Sequence, residues 1–159
     1  MNLDELIAEI ISNPDFPEGV NWRRDHVPTG TEIIRQGTES RSLYWLEKGA
    51  VRVVGRVELE GQRQLNPGVC DLNAGEIFGE LVLFDDEPRS TSVMAISDAD
   101  LVVIDGDRLM EFLEQYPQLG FRFIKALTAR MVSRLRKTND KIFSLFAWGI
   151  KAHNMDQHL

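Results

Sequence analysis

Between Thr31 and Ile104 the apolar residues come only in short runs, and glycine keeps interrupting them. The runs are Glu32-Ile33-Ile34-Arg35, Leu43-Tyr44-Trp45-Leu46, Val51-Arg52-Val53-Val54-Gly55-Arg56-Val57, Asp71-Leu72 and the stretch from Val93 to Ile104. Gly30, Gly37, Gly49, Gly61, Gly68 and Gly75 punctuate them. Many short strands at near-regular spacing predict a β-sandwich or a barrel.

The flanks carry a different period. Leu3, Leu6, Ile7, Ile10 and Ile11 recur at helical spacing until Asn13-Pro14 stops them. Residues 14–30 contain Pro14, Pro17, Gly19, Pro28 and Gly30, a turn-rich connection with Trp22 as its apolar anchor. Beyond Asp105-Gly106, the residues Leu109, Met110, Phe112 and Leu113 predict a short helix with Asp107 near its start, closed by Tyr116-Pro117. A longer helix follows, with Phe121, Ile124, Leu127, Met131, Leu135, Ile142 and Leu145 as an apolar stripe. A stripe of that extent needs a partner surface. Arg130, Arg134, Arg136, Lys137 and Lys141 lie between its members and read as a solvated face in preference to a nucleic-acid contact.

Composition excludes several classes. With 159 residues, 43% of them hydrophobic, the chain holds one domain with a real core rather than two. Cys70 stands alone, so neither an internal disulfide nor a multi-cysteine metal site is available, which suits a reducing compartment. His26, His153 and His158 are far apart in sequence, so no metal is expected. No apolar run approaches the ~20 residues of a membrane span. The start, Met1-Asn2-Leu3-Asp4-Glu5, is acidic and unlike a signal peptide, so the expected location is the cytoplasm. A net charge of −7 opposes a general nucleic-acid surface.

The most chemically loaded stretch runs from Phe78 to Val93. Gly79, which permits positive φ and close backbone approach, is followed at once by Glu80 and the apolar Leu81, Val82, Leu83 and Phe84. An acidic loop, Asp85-Asp86-Glu87, leads to Pro88, Arg89, Ser90 and Thr91, and then to the strand-like alternation of Val93 and Ala95. Residues 79–84 are too few for a stable lone helix. The planar fork of Arg89 matches two phosphate oxygens, and Ser90 and turn N–H groups add donors. Glu80 would repel a phosphate, so its natural partner is a sugar hydroxyl. On the residues alone, an Arg89–Glu80 salt bridge in a turn stays open beside a nucleotide site.

Gly79-Glu80-Leu81, a short loop and Pro88-Arg89-Ser90 resemble the phosphate-binding cassette of cyclic-nucleotide-binding domains, with Val82 where that family commonly has Ala or Gly. Pro28-Thr29-Gly30-Thr31-Glu32-Ile33-Ile34-Arg35-Gln36-Gly37 and Leu43-Tyr44-Trp45-Leu46-Glu47-Lys48-Gly49 look like the two signatures that open its barrel. The resemblance covers about residues 27–145. Met131 to Lys141 is similar to the long helix of bacterial catabolite activator-type regulators, whose paired helices meet across a dimer axis. Thr138 and Asn139 fall where that family places a Thr-Ser pair on the adenine.

The resemblance implies a mostly β fold with flanking helices: a double-stranded β-helix (jelly-roll) barrel followed by a short and a long C-terminal helix. The expected organisation is an N-terminal helix and connection over residues 1–26 and a cyclic-nucleotide-binding barrel over 27–104. C-terminal helices over 105–146 and a tail over 147–159 complete it. The implied ligand is cyclic AMP, with cyclic GMP as the alternative. Gly79, Glu80 and Leu81 would meet ribose and phosphate, Arg89, Ser90 and Thr91 the phosphate, and Val53 and Val69 the base. No catalytic activity is expected. The implied partners are a second copy through the long helix and an effector protein, and the residues past Phe146 are too few for the helix-turn-helix domain that the regulators carry. Rival readings are a non-binding interaction module of the same fold, a cupin-like enzyme, and a fragment of a transcription regulator. The barrel region lacks the clustered histidines a cupin-like metal site needs.

Overall fold

The computed structural model describes residues 2–61, 63–65 and 67–156. In chain order it holds α1 (Leu3–Ile11), β1 (Trp22–Val27), β2 (Glu32–Ile34), β3 (Ser42–Lys48), β4 (Ala50–Val54), β5 (Val57–Leu59), β6 (Arg63–Leu65), β7 (Gly68–Asn73), β8 (Ile77–Phe78), a 3-10 turn (Glu80–Leu83), β9 (Ser92–Ala95), β10 (Ala99–Asp105), α2 (Gly106–Gln115) and α3 (Pro117–Asp156). By its contacts the chain divides into two units, residues 1–120 and 121–159.

The first unit is built on two antiparallel four-stranded sheets, ordered β1-β10-β3-β8 and β2-β9-β4-β7, with β5-β6 as a separate hairpin. One shared core joins them. Leu46, Phe78, Leu101 and Val103 from one sheet meet Ile34, Val51, Leu72 and Val93 from the other. This is the jelly-roll barrel with flanking helices that the short-strand pattern and the resemblance imply. Strand β10 explains the long apolar run before Asp105. Leu101 and Val103 enter the barrel core, while Val102 and Ile104, on the opposite face of the pleat, are buried as well.

Helix α1 buries Leu3, Leu6, Ile7 and Ile10 along one stripe. Its start is fixed by a capping box: Asn2 Oδ1 accepts from the Glu5 N–H at 3.4 Å, as well as from the Asp4 N–H at 2.7 Å, and Glu5 Oε2 accepts from the Asn2 N–H at 3.3 Å. Trp45 Nε1 of β3 donates to Asp4 Oδ1 at 2.8 Å and so ties this helix to the sheet. Trp22 is buried, and its Nε1 donates to Phe16 O at 3.0 Å. Phe16 in turn meets the Phe112 ring of α2 at a centroid distance of 5.0 Å.

Two expectations need correction. Residues 14–30 are not wholly a connection, because Trp22–Val27 pair with β10 as the edge strand β1. The charged run Arg23-Arg24-Asp25-His26 hides the strand from an apolar-pattern reading, since much of β1 faces water. Residues 147–156, expected as a tail, continue α3 to Asp156. No proline interrupts them, and Ala147, Lys151 and Ala152 are good helix formers. The expected tail residues 157–159, with His158, lie outside the described residues.

The second unit is the rest of α3. Phe123 and Leu127 are buried, and from Leu135 onward the large apolar side chains are exposed. The predicted short helix after Asp105 is α2, with Asp105 as its N-cap: Oδ1 accepts from the Arg108 N–H at 3.0 Å.

Candidate functional site

The turn from β8 into the 3-10 helix favours glycine. Gly79 has a φ of +73°, the left-handed region that side-chain-bearing residues rarely adopt. A Cβ there would stand 2.9 Å from Arg89 Nη1, 3.2 Å from Ile34 Cδ1 and 3.3 Å from Tyr44 Cδ2. The backbone at Gly79 therefore lies against the guanidinium of Arg89. Glu80 follows as the first residue of the 3-10 turn.

Glu80 and Arg89, 6% and 8% exposed, are the two buried charged side chains among the described residues. Buried charge is expensive unless it is paired and hydrogen-bonded. Arg89 Nη1 donates to Gly79 O at 3.0 Å, and Nη2 donates to Ser42 O. Its Nε is buried and has no hydrogen-bond partner among the described residues. Burial holds the guanidinium below the usual arginine value, with the charges of Tyr44 and Glu80 opposing that shift and Arg41 adding to it. The Arg89 backbone is clamped as well. Its N–H donates to Thr38 O and its carbonyl accepts from the Gly37 N–H, each at 2.8 Å.

Neighbouring groups brace this arrangement. Tyr44 stacks on Phe78 with centroids 5.1 Å apart and planes 8° apart. Burial pushes the Tyr44 phenol above its ordinary value, and Arg89 acts against that shift. Arg41 fastens the acidic loop: Nη1 donates to Asp85 O at 3.0 Å and to Asp86 Oδ1 at 3.1 Å, and Nη2 donates to Asp107 Oδ1 at 2.7 Å. The hydrogen bond from Arg41 holds the Asp107 carboxyl below its usual range.

Of the residues singled out in the sequence, Gly79, Glu80 and Arg89 come together here. Leu81 is exposed on the 3-10 turn. Ser90 is exposed and Thr91 half-buried, both between Arg89 and β9. Val53 on β4 packs against the barrel core, paired with Val93 of β9 and Cys70 of β7. Val69 is exposed on β7, with its Cγ2 4.0 Å from where a Cβ on Gly55 would lie. Thr138 and Asn139 are exposed on α3 in the second unit, and Thr138 Oγ1 donates back to Arg134 O at 2.9 Å. Gln36 and Tyr44, inside the two barrel signatures, and Ser42, just before the second, join the neighbourhood although none of them was singled out as a site residue. The signal available for them was the Gln36-Gly37 and Leu43-Tyr44 pairs inside the two barrel signatures.

Chemically, a buried guanidinium with an uncommitted Nε–H beside a buried carboxylate suits a small ligand that carries both an anion and a hydroxyl donor. The profile of the family described as cyclic nucleotide-binding domain matches residues 24–116, from within β1 to just past α2. The chain belongs to that family.

Among curated relatives, the cAMP-activated global transcriptional regulator CRP of Escherichia coli O6:H1 is 28% identical over 142 residues, covering 86% of this chain and 64% of the relative. The anaerobic regulatory protein of Bacillus subtilis is 31% identical over 122 residues, 76% of this chain and 48% of the relative. The chain thus spans less than two thirds of the length of either. The solved Thermus thermophilus catabolite activator protein shares the fold at a TM-score of 0.65 and 25% identity, over 89% of this chain and 59% of that one. The Xanthomonas campestris c-di-GMP responsive global regulator CLP shares it at a TM-score of 0.69 and 24% identity, over 79% of this chain and 59% of that one. Among the described residues no cluster of His, Cys, Asp and Glu could hold a metal ion, and no helix is long and apolar enough to cross a membrane.

Proposed function

We propose that this domain binds cyclic AMP in its barrel and transmits occupancy through α3, as a homodimer that an effector protein or domain reads. The observation that carries this reading is the buried Arg89 with its Nε–H uncommitted, set beside the buried Glu80. A cyclic phosphodiester supplies the paired oxygens that the guanidinium fork takes. A ribose 2′-hydroxyl supplies the donor that a carboxylate needs next to an anion.

In this reading Arg89 takes the phosphate with help from Ser90 and Thr91. Glu80 accepts from the 2′-hydroxyl, and the backbone of Gly79 and Leu81 approaches the sugar and phosphate. Val53 and Val69 flank the base, and by the family resemblance Thr138 and Asn139 contact a base, of this chain's nucleotide or of the second copy's. No bond is made or broken, so the domain acts as a sensor and not as a catalyst. The curated relative named as cAMP-activated supports the choice of purine. A fold relative named as responsive to c-di-GMP makes that dinucleotide the comparison of interest.

Titration calorimetry with cyclic AMP, cyclic GMP and c-di-GMP tests the reading. Cyclic AMP should bind tightest and with one site per chain. Tighter binding of either other nucleotide would reassign the ligand. Absence of heat with all three would leave an interaction module of the same fold.

A further inference from the structure

Gln36, just past β2, adds side-chain ties to β9 and to the segment after β4, beyond the end of the β2–β9 ladder. Its backbone N–H donates to Ser92 Oγ at 2.9 Å, and its side-chain Oε1 accepts from the Arg56 N–H at 2.9 Å. The next two residues hold the Arg89 backbone from both sides, through the Gly37 N–H and the Thr38 carbonyl. Ser92 opens β9 and lies opposite Val54 of β4.

Arg56 falls between two ladders. The β4–β7 pairing ends at Val54, and the β5–β6 pairing begins at Val57. The Arg56 N–H therefore takes its protein acceptor from a side chain, on the exposed flank of the barrel. Gly55, one residue earlier, donates to Pro67 O at 3.0 Å, and a Cβ on it would lie 4.0 Å from Val69 Cγ2. Residues 36–38 thus form a strap. One end grips Arg89, and the other grips the segment next to Val69.

We propose that Gln36 is a positioning residue that sets the distance between the phosphate end and the base end of the ligand site. The inference rests on the cyclic-nucleotide reading of that site. A ligand gripped at both ends binds best when the two ends are already at the right separation, because ordering them on binding costs affinity. Gln36 makes the tie with an acceptor alone, so its chemistry predicts which replacements preserve it. Gln36→Glu keeps a carbonyl-type acceptor at the same reach. Gln36→Met keeps length and apolar stem but loses the acceptor.

The test compares these two variants with the wild type. By calorimetry, Gln36→Met should weaken cyclic AMP by about tenfold, the scale of one hydrogen bond, and Gln36→Glu should stay within about threefold. The ratio of affinities for cyclic AMP and cyclic GMP should also change in the Met variant, because the base wall shifts relative to Arg89. A loss of stability alone would weaken both nucleotides by the same factor. In parallel, exchange of the Arg56 amide should be slow in the wild type and the Glu variant and fast in the Met variant.

Three results overturn the proposal: an unchanged affinity ratio in the Met variant, failure of Glu to restore binding, or equal Arg56 exchange in all three proteins. A wild type that binds no cyclic nucleotide overturns the reading of the site instead. The amide exchange still decides whether Gln36 makes the tie.

Discussion

Arg89 gives one N–H of each terminal nitrogen to a carbonyl and keeps Nε–H uncommitted among the described residues. Those two bonds, on a backbone itself held by residues 37 and 38, leave the guanidinium little freedom to lose on binding an anion. Arg89→Ala should therefore leave a bound phosphate without its charged partner, at roughly 3–5 kcal/mol, about two to four decades of affinity. Arg89→Lys should recover only part, since an ammonium cannot make the two-pronged contact. Binding of the Ala variant within threefold of wild type, measured by calorimetry, would remove Arg89 from the phosphate. Glu80 makes a separate claim. Exchanging cyclic AMP for its 2′-deoxy analogue should cost roughly 1.5–3 kcal/mol, as for a hydrogen bond to a charged group. Equal affinities for the two ligands would take Glu80 out of the sugar contact. These residues were legible in the sequence because Gly79, Glu80, Arg89 and Ser90 lie close together along one stretch. Tyr44 and Gln36 were not, because they reach the same place only through strand order, which spacing along the chain does not encode.

At the level of elements, the 3-10 turn is the part most exposed to a single change. Gly79→Ala meets two obstacles, the left-handed backbone and the crowding by Arg89, Ile34 and Tyr44. The backbone strain alone costs about 1–2 kcal/mol. Gly30 supplies the control, since its φ of +89° imposes similar strain with nothing within 4 Å of a new Cβ. Gly30→Ala should lower the melting temperature by roughly 2–8 °C and leave nucleotide affinity unchanged. Gly79→Ala should lower it further and weaken binding as well, because the Cβ displaces Arg89. Identical effects of the two variants in thermal melts and calorimetry would show that Gly79 serves the turn and not the site. Elements with an apolar alternation, such as β3 and β4, were readable in advance. The edge strand β1 was not, since its outward charges carry the pattern of a loop. The helix end was set too early for another reason: Ala147 to Ile150 read as a possible last turn, but Gly149 and the mixed polar residues from Lys151 onward give no apolar stripe to carry the pattern to Asp156.

For the whole molecule, the open question is what covers the second half of α3. Leu135, Ile142 and Leu145 are 60%, 55% and 68% exposed, and Phe143, Phe146 and Trp148 are each 70% exposed. Leu135, Thr138, Ile142 and Leu145 follow one another at steps of three and four, the spacing of a two-helix seam. A contiguous apolar surface of that kind marks an interaction site. A second copy of the same helix fits it, because each stripe offers apolar side chains at the positions its twin needs covered. Light scattering at tens of micromolar should then give about twice the 18.1 kDa mass of the chain. The double change Leu135→Asp, Ile142→Asp would place unpaired charges in the seam, where burial without partners is costly, and should give monomers. Cyclic AMP can bias this assembly only by contacting paired and unpaired chains differently. Thr138, in the seam itself, is the residue proposed to carry that difference. A nucleotide that left the dimer's dissociation constant unchanged would separate sensing from pairing. A wild type that stayed monomeric with and without saturating cyclic AMP would end the dimer proposal.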